Sequence, residues 1–559
     1  MNRQSSSMAH FRHRLRAGIL RAGVFTVALA LAPGSGALAQ DAIEAALAAP
    51  PEIEGVTLAS LPFLTEFYAA RDGTPLWTDD RAEALFEILN DGLDHGFRPQ
   101  DVHLPRLYDL HDARQSGDAA DGLAFELAAS DAMVRLLHHL VFGKVDPERL
   151  DAHWNFSRPV LGDDPARSLN AFIEDTGVAA VLPALEPTNA NYNALKSALE
   201  TYRLIQIDGG WPVIPDGPAL KPGMRDARVQ TIRQRLAAEG VLSPQGIEFL
   251  SATPEDSPAG PSDPDLYDPS LAADVARFQA RLGLEADGVI GPRTLTALNR
   301  TVEERIDQLR LSLERARWLV RGLGDDFVLV NIAGARTYVV RDGALVWTTR
   351  SITGSAYRKT PVFRDDIKYM EFNPTWTVPA SILKKDKLPK IRRDPGYLAR
   401  HGYSVIAPDG TPVSPASVNW ASDDPGIKLV QRPGPDNALG LVKFMFPNDY
   451  AVYLHDTNDR TLFDRNERNL SSGCVRVEDP FLLADLLMMG DPDWSRAKME
   501  AILASGQTTR INLPEPMPVL LTYWTAWVED GEVHFREDIY DRDGAVLAAL
   551  NAPYRGASQ

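Results

Sequence analysis

The chain contains a single cysteine, Cys474, in the run Ser471-Ser472-Gly473-Cys474-Val475-Arg476. His455 stands nineteen positions earlier, at the end of an apolar stretch, and is followed by Asp456 and Thr457. A thiol with a free pKa of about 8.5 is mostly protonated near neutral pH, and the thiolate is the nucleophile. A neighbouring imidazole lowers that pKa and shuttles the proton, which is what acyl transfer through cysteine requires. Gly473 allows a turn tight enough for the Gly473 and Cys474 amides to face a developing oxyanion, each donor being worth roughly 3 kcal/mol. Arg476, two residues on in an extended segment, falls on the same face as Cys474. It either holds a substrate carboxylate or locks the loop through an acidic partner. Asp456, adjacent to His455 on a strand, points the other way, and no direct contact between them is expected.

A lone cysteine is more often buried and inert. The polar, glycine-flanked setting of Cys474 weighs against that, and so does the start of the chain. Arg12, Arg14, Arg16 and Arg21 precede the apolar run Ala22 to Ala32, Pro33-Gly34 breaks it, and Ala37-Leu38-Ala39 has the form of a cleavage site. This is the layout of a secretory leader over residues 1–39. The run falls short of the about 20 residues that span a bilayer. The expectation is an exported, soluble mature protein, with an uncleaved leader as the one route to a membrane anchor. Exported proteins use cysteines in pairs, so an unpaired one is a candidate reagent.

Composition narrows the function further. The chain has 559 residues with 58 basic and 76 acidic side chains, a formal charge of −18, which gives no electrostatic reason to bind nucleic acid or an anionic membrane. Hydrophobic residues at 44% and charged residues at 24% describe a globular chain, long enough for three or four domains. One thiol excludes an internal disulfide and any multi-cysteine zinc or iron–sulfur site. His95, His103, His111 and His153 show no HExxH-like spacing, and His138 and His139 would diverge by about 100° on a helix. No metal or cofactor is expected.

The elements that must position the chemistry form a multidomain α+β chain. Residues 40–207 read as a helical scaffold: Leu85, Ile88, Leu89 and Leu93 share one helical face, as do Leu127, Val134, Leu137 and Val141, and Asn191 to Leu204 is a further amphipathic helix. The Gly/Pro-rich stretch Asp208 to Gly223 marks a boundary. A three-helix module follows over 218–301, interrupted by the proline-rich segment Ser251 to Pro269. Residues 302–325 form a connecting helix with Ile306, Leu309, Leu313 and Ala316 inward. From 326 to 545 the period changes to two, in short runs such as Phe327 to Ile332, Thr337 to Val340, Leu345 to Ile352, Met370 to Phe372, Lys443 to Phe446 and Ala451 to His455. This is a β-rich domain with little helix, carrying a loop-rich lid at about 380–437, and 546–559 is a tail.

Two resemblances rest on these residues. Phe278-Gln279, Gly283-Leu284 and Asp287-Gly288-Val289-Ile290-Gly291-Pro292, with Thr294 and Leu298, resemble the small peptidoglycan-binding module of wall enzymes; a spacer that keeps the fold without binding glycan fits the same residues. His455 followed by Ser472-Gly473-Cys474-Val475-Arg476 resembles the active-site motif of the L,D-transpeptidases, with a YkuD-type catalytic domain. Asn331-Ile332 with Tyr338, and Gly354 with Arg358-Lys359-Thr360-Pro361, resemble that domain too. Ser472 stands where histidine is common in the motif. The serine form, the lead Tyr453-Leu454-His455-Asp456-Thr457, the helical N-terminal region, the inserted module, the lid and the tail Tyr523-Trp524-Thr525-Ala526-Trp527 are similar to the larger YcbB-like branch.

The resemblance implies a periplasmic, wall-associated acyltransferase acting on peptidoglycan stem peptides and glycan strands, and acylated by carbapenem-type β-lactams. Cys474 would be the nucleophile, and His455 the proton donor and acceptor, since His401 falls in the lid and His534 in the tail. Gly473 would supply an oxyanion donor, and Arg476 and Ser472 would contact substrate. Tyr453 and Trp420 either line the site or pack in the core. The implied product is a 3→3 cross-link between diaminopimelate residues. Water, a free D-amino acid or a lysine of an outer-membrane protein are alternative acceptors, and a non-catalytic wall-binding scaffold is a reading from a different class.

Overall fold

The computed structural model describes residues 35–49, 52–150, 155–156, 162–244, 247, 263–320 and 323–556. The leader lies outside the described residues up to residue 34, and Ala37-Leu38-Ala39 falls in the helix Ser35–Leu47. The proline-rich segment lies outside them through residue 262. No described helix is long and apolar enough to cross a membrane.

The helical N-terminal region, the three-helix module and the β-rich domain are all present. The N-terminal helices pack around Ala119–Phe142, a 24-residue helix capped by the Asp118 side chain and ended at Gly143. Apolar groups all round it place it inside the bundle, and Leu85, Ile88 and Leu89 of the helix Asp79–Gly92 pack in the same core. Its buried Glu126 accepts from Leu76 N at 2.6 Å and from the Tyr68 hydroxyl at 2.7 Å, so the inward carboxylate is satisfied. His139 is fully buried against Phe97 and Tyr554. Among the described residues no cluster of His, Cys, Asp or Glu is placed to hold a metal.

In the module, the helices Arg228–Ala238, Pro269–Arg281 and Pro292–Leu298 close on one apolar cluster. Gln279, 1% exposed, organises the turn: its Nε2 donates to Asp287, Val289 O and Thr294, and its Oε1 accepts from Gly288 N. A Cβ at Gly288 would lie 2.8 Å from Ala272 O, which is why glycine stands there.

The helix Val302–Val320 is a spine between domains. Toward the scaffold, Arg310 donates to Gly96 O, Arg317 to His95 O, and Glu314 accepts from Val145 N. Toward the C-terminal segment, Arg315 pairs with Asp543 at 2.6 Å and Arg310 donates to Asn551. Asp543 and Asn551 bound a helix that runs through the boundary expected at residue 545. Lys144 of the scaffold donates to Leu550 O and Ala552 O, both at 2.7 Å.

The β-rich domain is built on nine strands: β1 Phe327–Asn331, β2 Arg336–Arg341, β3 Ala344–Gly354, β4 Phe363–Phe372, β5 Val442–Met445, β6 Leu454–His455, β7 Asn469–Ser471, β8 Val475–Val477 and β9 Thr509–Thr522. Their order is β7-β3-β8-β6-β5-β4-β9-β1-β2, and β2 pairs back onto β3, so the sheet closes on itself. Closure leaves only the short β7 at an edge and encloses Val328, Val330, Phe372, Phe444, Leu454, Val475 and Val519. Burying each of these contributes about 1.5–3 kcal/mol. Three helices accompany the sheet: Pro480–Leu487, Arg496–Ser505 and Asp543–Asn551.

The insertion between β4 and β5 differs from a loop-rich lid. It is a small folded cap: Lys428–Gln431 pairs antiparallel with Trp376–Thr377 and with Tyr403–Ile406. Trp376, Leu383, Leu388, Tyr397, Tyr403 and Leu429 form its own core. The Lys, Arg, Pro and Asp residues that suggested loop surround that core.

Candidate active site

Strands β6 and β8 lie side by side and parallel, Leu454 opposite Val475 and His455 opposite Arg476. Leu454, Val475 and Val477 are fully buried in the barrel core. A period of two then places Tyr453, His455, Cys474 and Arg476 together on the other face. The Tyr453 and His455 rings meet edge to face with centroids 5.6 Å apart.

Cys474 is half-buried, and its Sγ donates to Ala451 O at 3.8 Å. The loop that presents this carbonyl is shaped by Asn448, which accepts from Tyr450 N and Val452 N and donates to Phe446 O and Val452 O. Burial pushes the thiol pKa up, while hydrogen bonds from the backbone and hydroxyl of Tyr453, with the charge of Arg476, pull it back.

His455 is 4% exposed and sits one diagonal from Cys474. Its Nδ1 lies 2.5 Å from the Asp456 carbonyl. A carbonyl only accepts, so Nδ1 carries the hydrogen and Nε2 the lone pair. Burial, aided by the Arg476 charge, lowers its pKa from 6.5 to about 3 against opposing bonds to the backbone of Asp456 and Leu439. The resting pair is a neutral thiol and a neutral imidazole. Accordingly, alkylation of the free protein by iodoacetamide should rise through one ionisation above the ordinary thiol range. The plateau between about pH 4 and pH 8 that an imidazolium–thiolate pair gives should be missing. The rate of the mass increment against pH checks this.

The Asp456 carboxylate points away from the imidazole, as its place on the strand predicts, accepting from Leu441 N at 2.9 Å and pairing with Arg460. Its backbone carbonyl, not its side chain, orients the ring. Arg476 donates to Thr457 Oγ1 at 3.3 Å, leaves Nε buried without a partner, and forms no ion pair among the described residues. The charge of Asp459 acts on the guanidinium from beyond ion-pair distance, so both carboxylate binding and loop locking stay open to it.

Gly473 has φ 121°, a backbone that disfavours a side chain. Its N–H, expected to face an oxyanion, instead donates to Ser471 Oγ at 3.1 Å. This corrects the expectation: the Cys474 N–H, which meets no backbone acceptor, is the donor left beside the sulfur. Ser471 in turn donates to Cys474 O at 2.5 Å. Ser472 is exposed and accepts from Arg358 at 2.7 Å, and Arg358 also grips Asp386 of the cap through two nitrogens, so cap and nucleophile loop are clasped together. Trp420 packs on the cap core, with its Nε1 donating to Pro415 O at 2.9 Å. Of the two readings open for it, packing is the one this contact fits. His401 packs on Tyr397 and His534 stacks on Trp527, which leaves His455 as the imidazole of the site.

Sequence reasoning missed Ser471, Asn448 and Asp386. Ser471 adjoins the motif and was legible by position, and Pro447-Asn448-Asp449 is a turn signal. Nothing local marks Asp386 among the lysines around it.

Residues 325–493 match the profile of the "L,D-transpeptidase catalytic domain". The chain carries an L,D-transpeptidase catalytic domain. Residues 62–199 match the "Scaffold domain" and 225–298 the "Putative peptidoglycan binding domain". A curated relative from Haemophilus influenzae, named "Putative L,D-transpeptidase", is 39% identical over 226 residues, 40% of this chain and 46% of that protein. The chain thus spans about half the length of the curated relative. Among solved structures, an L,D-transpeptidase from Mycobacterium smegmatis is 11% identical, covering 35% of this chain and 58% of that one at a TM-score of 0.19. One from Stackebrandtia nassauensis is 14% identical, covering 56% and 96% at 0.20.

Proposed function

We propose that the protein is an exported L,D-transpeptidase that forms 3→3 cross-links in peptidoglycan through a cysteine thioester. The observation that carries this reading is the shared face of β6 and β8, where Cys474, Tyr453, His455 and Arg476 stand together inside the matched catalytic domain. Cys474 attacks the carbonyl between diaminopimelate and the terminal D-alanine of a stem tetrapeptide. The thiol proton passes to His455 Nε2 as the C–S bond forms, and the Cys474 N–H faces the oxyanion. The C–N bond breaks, D-alanine leaves as the free amine with that proton, and the thioester remains. The side-chain amine of a second diaminopimelate then attacks, the amide forms, and the thiol is regenerated. Arg476 takes a stem carboxylate. The same nucleophile opens the ring of a carbapenem.

The leader-like arrangement of residues 1–39 supports export to the periplasm, and the match of residues 225–298 to a putative peptidoglycan binding domain supports action at the wall. Incubation with purified disaccharide-tetrapeptide tests the reading. The expected products are free D-alanine and a dimer whose fragmentation shows a diaminopimelate–diaminopimelate bond. Tripeptide alone would make the protein a hydrolase, and unchanged substrate would remove the acyl-transfer reading.

A further inference from the structure

A buried hydrogen-bond chain reaches the nucleophile loop from outside the matched catalytic domain. Tyr540, 1% exposed and beyond residue 493, donates from its hydroxyl to Gly354 O at 2.5 Å and accepts from Thr360 N at 3.1 Å. Thr360 is fully buried; its Oγ1 accepts from Gly354 N and donates to Gly473 O, both at 2.8 Å. Tyr540 is itself anchored, its N donating to the Tyr523 hydroxyl at 3.1 Å, which donates to Asp538 at 2.7 Å. The end of strand β3 at Gly354 and the C-terminal segment at Tyr540 thus both hold Thr360, which alone among the described residues bonds the Gly473 carbonyl.

That carbonyl shares a planar trans peptide with the Cys474 N–H, and the two point in opposite directions. Fixing the Gly473 oxygen therefore fixes the direction of the Cys474 N–H. Of the amides flanking the sulfur, Gly473 N–H is donated to Ser471 and Val475 N–H to Tyr453 O at 3.2 Å, whereas Cys474 N–H is donated to no backbone acceptor. A glycine at φ 121° has the freedom to rotate this peptide, so something outside the loop must hold it.

We propose that Thr360, held by Tyr540, is a positioning residue that aims the Cys474 N–H at the oxyanion of the acyl-transfer step. This rests on the acyl-transfer reading above. It makes the C-terminal segment part of the catalytic apparatus, although Tyr540 touches no reacting atom. A donor held before the reaction stabilises developing charge without reorganising, and a donor free to swing loses that advantage.

The two reactions of the thiol separate this role from a structural one. Acylation by a carbapenem passes through an oxyanion, whereas alkylation by iodoacetamide does not and reads only the thiolate. In the full chain, Thr360→Val should slow acylation by meropenem about 10–100-fold, a fraction of the 10²–10³ lost when such a donor is removed outright. The rate and pH midpoint of alkylation should stay as in wild type. Thr360→Ser, which keeps the hydroxyl, should restore acylation to within about threefold, and Tyr540→Phe should slow it about 3–10-fold. Circular dichroism melts confirm that each variant folds. Acylation at the wild-type rate in both Thr360→Val and Tyr540→Phe would overturn the proposal, as would equal slowing of the two reactions. A wild-type protein that is alkylated but never acylated would instead overturn the acyl-transfer reading, and this proposal with it.

Discussion

Cys474→Ala abolishes covalent acylation by meropenem and lowers cross-linking by at least about 10⁴-fold, the scale on which losing a nucleophile registers in a site that acts as a unit. No neighbour can replace the thiol. Ser471 already donates to Cys474 O, and Ser472 accepts from Arg358 away from the sulfur. The fold should not notice the change. Cys474 is half-buried, its one backbone acceptor is 3.8 Å away, and alanine keeps the extended backbone. Stability should shift by no more than about 1 kcal/mol. Intact-mass spectra after meropenem treatment, with a thermal melt of the same sample, check both halves. An adduct on the variant would show that the modified group lies elsewhere.

His455→Gln should slow acylation about 10²–10⁴-fold, the usual worth of a positioned general base. Alkylation at high pH should stay within a few fold of wild type, because no resting ion pair with Cys474 exists to be lost. The imidazole, with its pKa near 3, is neutral at rest and takes the proton only as the thiol attacks. Its stability signature has a definite sign. The folded pKa lies below the unfolded value of 6.5, so the unfolded chain binds a proton that the folded chain refuses. Stability is full above that value and falls as pH drops from about 6.5 toward 3. The variant lacks this contribution, so the loss of urea midpoint between neutral and acidic buffer should be smaller than in wild type. Equal alkylation losses at every pH would mean that His455 does set the thiolate.

Much of the architecture was legible because it is periodic. The helical faces around Leu85 and Leu127, the period-two runs at Phe327 and Thr337, and the turn before Pro292 all report on neighbours within a few residues. Strand β9 was not legible. It is a central strand, pairing with both β4 and β1, yet it holds Pro514, Pro516 and Pro518, and proline argues against a central strand. A register shift between Asn512 and Met517 absorbs the first two, so the ladder breaks where the missing N–H groups fall. Strand β6 shows the converse: the run from Ala451 reads as a strand of five, but Ala451 takes φ 53° to turn its carbonyl toward Cys474, and only Leu454–His455 pairs with both neighbours. The cap misled for a third reason, since its core residues lie far apart in the chain and polar residues separate them.

By itself the sequence singled out Cys474, the glycine before it, His455, and Arg476 on the face of Cys474 as candidates, with the family motif these resemble. Those follow from residue type and from a repeat of two, both local properties. The tertiary structure decided the partners. It gave the sulfur to the Ala451 carbonyl, the imidazole to the Asp456 carbonyl, the Gly473 N–H to Ser471 and the Gly473 carbonyl to Thr360, with Tyr540 behind it. A hydrogen bond needs its partner within about 3 Å in the right direction. Between residues far apart in the chain, that is settled only when the barrel closes and the C-terminal segment packs back onto it.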